Sequence, residues 1–311
     1  MQNIDQQHQQ PPAATEVQLD VHYAGVNRAD LMQRAGHYPP PAGVTEILGL
    51  EVSGVVRACG AEVSHVQVGD KVCALLAGGG YARSVTVSAG QVQRIPSGIE
   101  LVAAAALPEA FATAWFNLID LAQLQPQERV LLHAGASGVG VAAIQIARWR
   151  QADVFVTVGS QAKLDFCQQL GADAGWVRGH GDFTEVVTEW GGADVILDPV
   201  GADYIAANQA VLKQDGRWIL IGLLSGRYGQ LDCGRLLMKC QRIQGSTLRN
   251  QTTAVKSHLM HALATHIWPQ LSNGAIKMPV DRMFSMQDVD AAHQYLQDNQ
   301  NAGKVVLAMQ E

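Results

Sequence analysis

The chain has 311 residues, of which 48% are hydrophobic and 16% charged, enough to bury the cores of about two domains. Its net charge of −6 disfavours the basic surface that nucleic acids require. No unbroken apolar stretch reaches the roughly 18 residues of a membrane span, and the N-terminus shows no secretion signal. We therefore expect a compact cytoplasmic protein with neither nucleic acid nor membrane as its partner.

Five scattered cysteines lack any Cys-x-x-Cys pair, which argues against a disulfide framework or a structural zinc site. We expect most of them to be reduced thiols that pack as small core hydrophobes. They are Cys59, Cys73, Cys167, Cys233 and Cys240.

The first third of the chain predicts a loose arm followed by a β-rich domain. Residues 1–14 are rich in glutamine and contain Pro11 and Pro12, so we expect no regular structure there. From Val17 to Gly98, short or alternating apolar runs are separated by Gly, Pro and Asp turns. The runs are Val17–Val21, Val52–Val56, Lys71–Leu76 and Ser84–Val87.

From about Leu101 the pattern changes to alternating helices and strands. Alanine-rich segments at 102–106 and 112–121 predict helices, and four later apolar runs predict strands. These strands are expected at 130–132, 154–158, 195–197 and 218–221, with helices between them, for example near 164–170 and 204–212. The alternation predicts a parallel, doubly wound sheet. A strand at 280–284, a helix near 288–298 and a strand at 305–307 complete the chain.

A small-residue turn follows the strand at 130–132 and precedes a helix. Strand, glycine turn and helix form the first unit of a dinucleotide-binding fold, in which a pyrophosphate approaches amides at the helix N-terminus. The spacing departs from Gly-x-Gly-x-x-Gly, because a serine stands where the middle glycine is usual, and any small-residue corner could look similar. The candidate cradle comprises Gly135, Ala136, Ser137, Gly138, Val139 and Gly140.

The end of the next strand distinguishes NADPH from NADH. An NAD site normally has an acidic residue about 20 residues past the glycines, bound to the ribose 2′-hydroxyl. This chain instead has Gly159, Ser160 and, slightly later, Lys163, which suit a 2′-phosphate. Lys163 could alternatively be an ordinary exposed helix lysine. The missing acid and the nearby cation together predict NADPH.

Several separated motifs resemble the zinc-free quinone oxidoreductases of the zeta-crystallin type, in the medium-chain dehydrogenase/reductase superfamily. The similarity is greatest to the tumour-suppressor-inducible quinone oxidoreductase subgroup, and it extends from about residue 15 to the C-terminus. The matching motifs are Gly25–Arg34, Gly36–Pro41, Leu48–Gly54, Leu107–Glu109, His133–Gly140, Asp198–Gly201, Asp215–Trp218, Leu248–Arg249 and Asn301–Leu307.

The resemblance implies an α/β fold with two domains and an active cleft between them. A GroES-like catalytic domain would cover residues 15–107, completed by 266–311, and a Rossmann NADPH-binding domain would cover 108–265. It also implies NADPH-dependent quinone reduction and a homodimer or homotetramer. The additional cofactor contacts that it implies are Thr113, Gly222, Leu223, Leu248, Arg249, Asn301, Gly303 and Lys304.

Zinc is not expected. Zinc alcohol dehydrogenases of the same superfamily have a ligand histidine in a Gly-His-Glu motif, and the corresponding motif here is Gly49-Leu50-Glu51. Leucine cannot bind zinc, and a cysteine is also missing beside Asn27.

Without a metal, catalysis depends on positioning and on one proton donor. Tyr38 is predicted to stand near the oxygen that gains charge, although it could simply pack on the prolines that follow it. Asn27 is predicted to orient the nicotinamide ribose or the substrate, or alternatively to form a turn. Asp30 is expected at a helix start or in a salt bridge. Glu51 is expected to be structural, pairing with Arg28 or Arg34.

Two departures from the family pattern concern the N-terminus and the adenine side. The family usually begins with a further strand, so we expect an exposed sheet edge or a misassigned start. Arg178 replaces a customary tyrosine and could bind the 2′-phosphate or remain solvated.

Three functions stay open: an NADPH:quinone reductase, an NADPH-dependent reductase of enones or alkenals, and a weakly active NADPH-binding protein.

Overall fold

The computed structural model describes residues 11–309 and divides the chain into two compact units. The first unit contains the residues up to Ala112 and those from Leu248 onward, and the second contains Thr113–Thr247. The predicted α/β class is confirmed, with a mostly antiparallel sheet in the first unit and a parallel sheet in the second.

The strands fall into three groups along the chain. The first group is β1 (Glu16–Val26), β2 (Glu51–Cys59), β3 (Lys71–Leu75), β4 (Ser84–Ser88) and β5 (Val92–Arg94). The second group is β6 (Arg129–His133), β7 (Asp153–Val158), β8 (Ala174–Val177), β9 (Ala193–Asp198), β10 (Leu212–Leu220) and β11 (Arg242–Gly245). The third group is β12 (Val280–Ser285) and β13 (Lys304–Ala308).

Eleven α-helices occur among the described residues. Those before β7 are α1 (Arg28–Arg34), α2 (Leu101–Ala104), α3 (Pro108–Trp115) and α4 (Gly138–Trp149), with a π-helix at Phe116–Leu121 after α3. Those up to β11 are α5 (Gln161–Gln169), α6 (Phe183–Glu189), α7 (Ile205–Val211) and α8 (Cys233–Met238). The last are α9 (Thr253–His266), α10 (Trp268–Ser272) and α11 (Val289–Gln297).

The first unit is built on a seven-stranded sheet in the order β12-β13-β1-β2-β3-β5, with β4 also paired to β1. Alternating residues of β1 supply its core, since Val17, Leu19 and Val21 are all fully buried. The C-terminal strand β13 pairs antiparallel with the end of β1, so the sheet joins the two ends of the chain. Among residues 11–309, β4 has β1 as its strand partner.

The second unit contains six parallel strands in the order β11-β10-β9-β6-β7-β8. The chain winds outward from β6 through β7 to β8 and then returns to place β9 on the other side of β6. This is the doubly wound arrangement, and its switch point lies between β6 and β9. Ligands of such sheets bind beyond the carboxyl ends of the strands at this point.

By their contacts the compact units divide at a residue other than the predicted domain boundary, which stays a prediction. Residues 248–265, predicted to belong to the Rossmann domain, group with the first unit. The reason is that the Lys256 ammonium donates to the Arg249 carbonyl at 2.7 Å, and Arg249 donates to Ala77 at 2.7 Å, so this segment is held on the β-rich unit. Sequence pattern alone cannot show which domain an α-helix packs against.

Three further expectations need correction. The predicted arm is fixed at its end, because the Ala14 carbonyl accepts from the Glu62 amide at 2.9 Å; its residues 1–10 lie outside the described residues. Strand β11 was not predicted, since all four of its residues are exposed and show no apolar pattern. Cys233 and Cys240 are exposed, whereas Cys73 and Cys167 are buried as expected.

One stretch, Leu101–Leu121, is apolar and long enough to cross a membrane by length and composition, which the sequence analysis did not anticipate. In the structure 72% of its most apolar window is buried, as in the core helices of a folded domain. It is divided among α2, α3 and the π-helix.

Candidate functional site

The glycine turn lies at the switch point of the parallel sheet. It follows β6 and leads directly into α4, so the amides of the first turn of α4 stand at the carboxyl end of the central strand. The amides at a helix N-terminus and the helix dipole make this position favourable for a phosphate group. The segment 135–140 therefore occupies the place where a dinucleotide pyrophosphate binds in this fold.

Two of the glycines are required by close packing. A Cβ on Gly135 would lie 2.7 Å from the Val156 Cβ, and one on Gly140 would lie 2.6 Å from the Ala134 carbonyl oxygen. Either contact is shorter than normal packing allows. Gly135 thus lets the turn lie against β7, and Gly140 lets α4 begin directly beside the turn.

Ser137 is the N-cap of α4, because its Oγ accepts a hydrogen bond from the Gly140 amide at 3.1 Å. This bond uses the oxygen as an acceptor, so the hydroxyl proton can still be donated to an anion. Ser160 caps α5 in the same manner by accepting from the Lys163 amide at 3.3 Å. Each of the two strand ends is therefore followed by a serine-capped helix.

The predicted 2′-phosphate residues come together at the end of β7. Gly159 and Ser160 are exposed, and the Arg178 guanidinium, which follows β8, lies 3.9 Å from the position of a Gly159 Cβ. A hydroxyl, a capped helix N-terminus and an arginine thus share one exposed corner. Arginine binds phosphate through a planar fork of donors.

A network of buried polar side chains lies at the strand ends next to the glycine turn. His133 ends β6 and contacts Thr157 Oγ1 at 2.9 Å and Asn208 Oδ1 at 2.6 Å, while Asn208 donates to Asp198 at 3.0 Å. Burial lowers the pKa of His133, so its ring is neutral. The network ties the carboxyl ends of β6, β7 and β9 to α7.

Gly222 and Leu223, two predicted cofactor contacts, follow β10. A Cβ on Gly222 would lie 2.7 Å from the Pro199 carbonyl oxygen, so this position is closely packed.

In the first unit, a buried ion pair occupies the centre of the sheet. Lys304 and Glu51 have side chains 3% and 0% exposed, and Lys304 Nζ lies 2.5 Å from Glu51 Oε1. Lys304 also donates to Asn27 Oδ1 at 2.7 Å and to the Val26 carbonyl at 3.1 Å. Asn27 in turn donates from Nδ2 to Glu51 at 2.9 Å. The ammonium and carboxylate are therefore both paired and hydrogen-bonded, as burial of charge requires.

Asp30 stands in the first turn of α1 and forms a capping box with Asn27, whose amide donates to Asp30 Oδ2 at 2.8 Å. Its carboxyl group also accepts from the Gly49 amide at 3.0 Å and from the Tyr81 hydroxyl at 3.2 Å. Burial raises the pKa of Asp30 to about 6 in spite of these bonds. The expected helix-start role of Asp30 is confirmed.

Tyr38, the predicted proton donor, is held by Arg249. The guanidinium lies 5.4 Å from the centre of the Tyr38 ring and donates to the Tyr38 carbonyl at 3.3 Å. A further bond at 2.7 Å to Gln33 fixes the same arginine. Burial is the main cause that raises the pKa of Tyr38. The charge of Glu109 raises this pKa further, whereas the charge of Arg249 lowers it. The phenol therefore stays protonated at neutral pH.

Several residues predicted to contact the cofactor are engaged by the protein itself. Arg249, Asn301 and Lys304 are buried, and each hydrogen-bonds within the first unit. The Thr113 carbonyl accepts from Asn117 at 2.7 Å. Leu248 is buried, and Gly303 adopts a φ of +104°. A role of these residues toward a cofactor stays a prediction, whereas their structural contacts are observed.

The expected partners of Glu51 were wrong. Arg34 pairs with Asp290 at 2.6 Å, and Arg28 donates to Asn299 at 2.7 Å, so neither reaches Glu51. Lys304, 253 residues away in sequence, is the partner instead. Glu109 also contacts Glu51, since its amide donates to Glu51 Oε2 at 2.9 Å, and this contact was not predicted. Its only sequence signal was its place in the Leu107-Pro108-Glu109 motif.

The residues do not fit a zinc ion at the position where the superfamily has one. Leu50 is 1% exposed and offers no ligand atom. Across residues 11–309, no group of three or more His, Cys, Asp or Glu side chains could hold a metal ion.

Both units of the chain resemble domains of known proteins. Residues 13–97 match the alcohol dehydrogenase GroES-like domain, and residues 138–265 match the zinc-binding dehydrogenase family. The crystal structure of the CurK enoyl reductase superposes with a TM-score of 0.84 at 32% identity, covering 97% of this chain and 93% of that one. The Escherichia coli quinone oxidoreductase complexed with NADPH gives 0.85 at 27% identity, covering 96% and 93%.

Among curated proteins, polyketide synthase GfsB of Streptomyces halstedii is 32% identical over 94% of this chain. The chain spans only 5% of the length of that synthase and 10% to 13% of mycobacterial synthases that it also matches. Both sheet architectures, both domain matches and the similarity over nearly the whole CurK enoyl reductase agree. This chain belongs to the medium-chain dehydrogenase/reductase superfamily of oxidoreductases.

Proposed function

We propose that this chain is an NADPH-dependent reductase that transfers hydride to a quinone without a metal. The observation that carries the cofactor assignment is the corner after β7. There Gly159, Ser160 and Arg178 meet, and no acidic side chain stands where an NAD site needs one. The similarity to the E. coli quinone oxidoreductase with NADPH supports the same cofactor and substrate.

In this proposal the chain binds and orients the nucleotide and the substrate, while the bound nicotinamide supplies the hydride. The turn 135–140 holds the pyrophosphate, and Arg178 and Lys163 bind the 2′-phosphate. Tyr38 donates its proton to the oxygen that becomes negative as the quinone is reduced. Asn27, held by Lys304 and Glu51, keeps a fixed orientation toward the nicotinamide ribose or the substrate.

The cofactor assignment is tested by titrating the protein with NADPH and NADH and following nucleotide fluorescence. We expect wild type to bind NADPH more tightly. Loss of a charge-assisted phosphate contact in Arg178→Ala or Lys163→Ala should weaken NADPH binding about 10-fold and leave NADH binding unchanged. Arg235→Ala, an exposed arginine of the same unit, is the matched control. Tighter binding of NADH by wild type would contradict the assignment.

A second candidate is the reduction of a conjugated carbon–carbon double bond, as in enones, alkenals or enoyl thioesters. The similarity to the CurK enoyl reductase and to GfsB favours it. Steady-state rates with quinones, small enones and an enoyl thioester separate the two candidates. If the protein quenches NADPH fluorescence but oxidises NADPH with none of these acceptors, it is a binding protein with weak or no turnover.

We also propose that two copies of the chain associate through the edge strand β11. Its four residues are exposed, and nearby α8 presents Leu237 and Met238, which are 75% and 77% exposed. An exposed parallel-sheet edge beside apolar side chains favours pairing with a second copy. Analytical ultracentrifugation should show a dimer or tetramer that Ile243→Lys converts to a monomer. A wild-type monomer at micromolar concentration would contradict this.

A further inference from the structure

Asp30, Tyr81 and His293 form a chain of hydrogen bonds inside the first unit that the proposed chemistry does not use. Asp30 is 1% exposed, and its Oδ2 accepts from the Tyr81 hydroxyl at 3.2 Å. The Tyr81 hydroxyl oxygen lies 3.3 Å from Nε2 of His293, which is also buried. Nδ1 of His293 lies 3.4 Å from the guanidinium of Arg34, whose side chain is 51% exposed. The chain therefore connects a buried carboxyl group to the surface.

The chemistry of its two ends fixes the direction of this chain. Arg34 can only donate, so Nδ1 of His293 is the acceptor and the ring proton is on Nε2. Nε2–H then donates to the Tyr81 oxygen, and the Tyr81 hydroxyl donates to the Asp30 carboxylate. Every donor therefore points towards Asp30, which also accepts from two backbone amides.

Solvent reaches this chain through a cavity of about 320 Å³ in the first unit. Arg34, Tyr81 and His293 all line it. Arg34 also pairs with Asp290 at 2.6 Å, and both side chains are more than half exposed. Exposed ion pairs are weak and rearrange readily, so the guanidinium can leave Nδ1 and stay paired at the surface. The ring nitrogen of His293 then faces the water-accessible cavity.

Charged groups on several elements act on Asp30. Burial is the main cause that raises its pKa to about 6, whereas the two amide bonds, the charge of Lys304 on β13 and the bond from Tyr81 lower it. The carboxyl groups of Glu51 on β2 and Glu109 on α3 belong to the same buried cluster. Asp30 can therefore bind a proton in mildly acidic solution, provided that a route for the proton exists.

His293 and Tyr81 have the properties that such a route needs. Burial is the main cause that lowers the pKa of His293, the charge of Arg34 acts in the same direction, and Asp290 on α11 opposes them. A neutral histidine can accept a proton at one ring nitrogen and release one from the other. Burial raises the pKa of Tyr81 well above its ordinary value, so the phenol keeps one proton in either direction of the chain.

We propose that Tyr81 and His293 form a proton relay from this cavity to Asp30, and that the arriving proton reverses the direction of the chain. A solvent acid first protonates Nδ1 of His293 once Arg34 has moved away. The Nε2–H bond then breaks as the Tyr81 oxygen binds that proton, and the former Tyr81 O–H bond breaks as Asp30 Oδ2 binds its proton. The ring is neutral again, but its proton is now on Nδ1 and faces the donors of Arg34.

The relay affects catalysis through Asn27, and this part rests on the proposed function. The Asn27 amide donates to Asp30 Oδ2 at 2.8 Å, while its side chain is held by Lys304 and Glu51. A hydrogen bond to an ionised carboxylate is about twice as strong as one between neutral groups. Protonation of Asp30 therefore loosens the backbone that carries Asn27. Asp30, together with the relay that controls its charge, is a positioning residue for the proposed site.

Nitrogen NMR of histidine-labelled protein tests the relay without turnover. The signals of His293 are those missing from His293→Gln, and His261→Gln, which changes an exposed histidine of α9, is the matched control. At neutral pH we expect the proton on Nε2. Near pH 6 about half of the molecules should have it on Nδ1, with the ring neutral in both states. Asp30→Asn cannot bind the proton and should show no such change of tautomer.

Two outcomes of this measurement would overturn the relay. One is a ring proton on Nδ1 already at neutral pH, because the chain would then point away from Asp30. The other is direct conversion of His293 to an imidazolium near pH 6, because the proton would then stay on the ring.

Kinetics test the link to Asn27. For wild type, kcat/KM with NADPH and a soluble benzoquinone should fall about 10-fold from pH of about 7 to about 5, as Asp30 binds its proton. Tyr81→Phe removes one donor to the carboxylate, so the acidic decline should move to a higher pH by about one unit. A purely structural Tyr81 would lower kcat/KM equally at every pH. Tyr228→Phe changes a side chain that is 84% exposed and should keep the wild-type profile.

An acidic decline at the same pH in wild type and Tyr81→Phe would overturn the positioning role. The two measurements also separate the relay from the proposed function. If wild type reduces no acceptor, the proposed function fails, and the tautomer of His293 still decides the relay. If the quinone is reduced but the tautomer does not change near pH 6, the relay is wrong and the proposed function stands.

Discussion

The two units build their candidate sites from different materials. In the second unit the cradle consists of backbone amides, two packing glycines and one serine cap, all within the short segment 135–140. In the first unit the site consists of buried charged side chains, Lys304, Glu51 and Asp30, which come from three distant parts of the chain. One site therefore depends on local geometry and the other on the compensation of charge in the core.

This difference predicts different failures. A change in the cradle alters the steric fit and the affinity for the nucleotide, whereas a change in the charged cluster leaves a buried ion without its partner. Buried unpaired charges cost more free energy than small steric conflicts do. The four predictions that follow test this ranking.

The largest effect is expected from Lys304→Met. It leaves the Glu51 carboxylate buried without its cation, so the free energy of unfolding should fall by about 3–5 kcal/mol. Urea denaturation followed by circular dichroism measures the change. Arg34→Met is the control, because its bridge to Asp290 joins side chains that are 51% and 79% exposed, and it should lose at most about 1 kcal/mol. Adding Glu51→Gln to Lys304→Met should restore stability, and no restoration would contradict the charge argument.

The next effect concerns the pH dependence of stability through Asp30. Its folded pKa of about 6 lies above the ordinary 3.8, so the folded state holds this proton more tightly than the unfolded state. The contribution is fully present below pH 3.8 and is lost as the pH rises through 6. Relative to Asp30→Asn, wild type should lose about 3 kcal/mol between these limits, at 1.36 kcal/mol per pKa unit. A difference between the two proteins that does not vary with pH would refute this prediction.

Gly140→Ala should have a smaller effect on stability and a clear effect on binding. The added Cβ would meet the Ala134 carbonyl oxygen at 2.6 Å, which forces α4 away from the turn. We expect about 1–3 kcal/mol of destabilisation and about 10-fold weaker NADPH binding, measured by thermal unfolding and calorimetry. Gly245→Ala, whose Cβ would meet no atom of the chain within 4 Å, is the control for nucleotide binding and should leave the NADPH affinity unchanged.

The smallest effect is expected from loss of a helix cap. Ser137→Ala removes the bond to the Gly140 amide and should cost about 1 kcal/mol in thermal unfolding. Ser160→Ala removes the cap of α5 at similar cost. The two should differ in binding, because Ser137 is predicted to contact the pyrophosphate and Ser160 the 2′-phosphate. Ser137→Ala should weaken the binding of both NADPH and NADH, whereas Ser160→Ala should weaken the binding of NADPH alone. Identical binding profiles of the two variants would argue against these assignments.

The sequence predicted elements best where the pattern is local. The apolar runs before and after the glycine turn marked β6 and α4 closely, and the alternation of strands and helices indicated the parallel sheet. It failed where residues are exposed or partners are distant. Strand β11 has no buried residue to create a pattern, and the contact of Arg249 with Ala77, just before α9, joins residues far apart in the chain.

By itself the sequence determined the superfamily, the α/β class and the strand, glycine turn and helix at 129–149, because these signals are encoded within a few adjacent residues. It also indicated that zinc is not bound at Leu50, since a side chain without donor atoms cannot be a ligand whatever its surroundings. Only the tertiary structure decided that Glu51 pairs with Lys304, that Asp30 is buried, and that Glu109 stands beside an ionised neighbour. Charge compensation and pKa depend on through-space distance and burial, and neither is written in the order of residues along the chain.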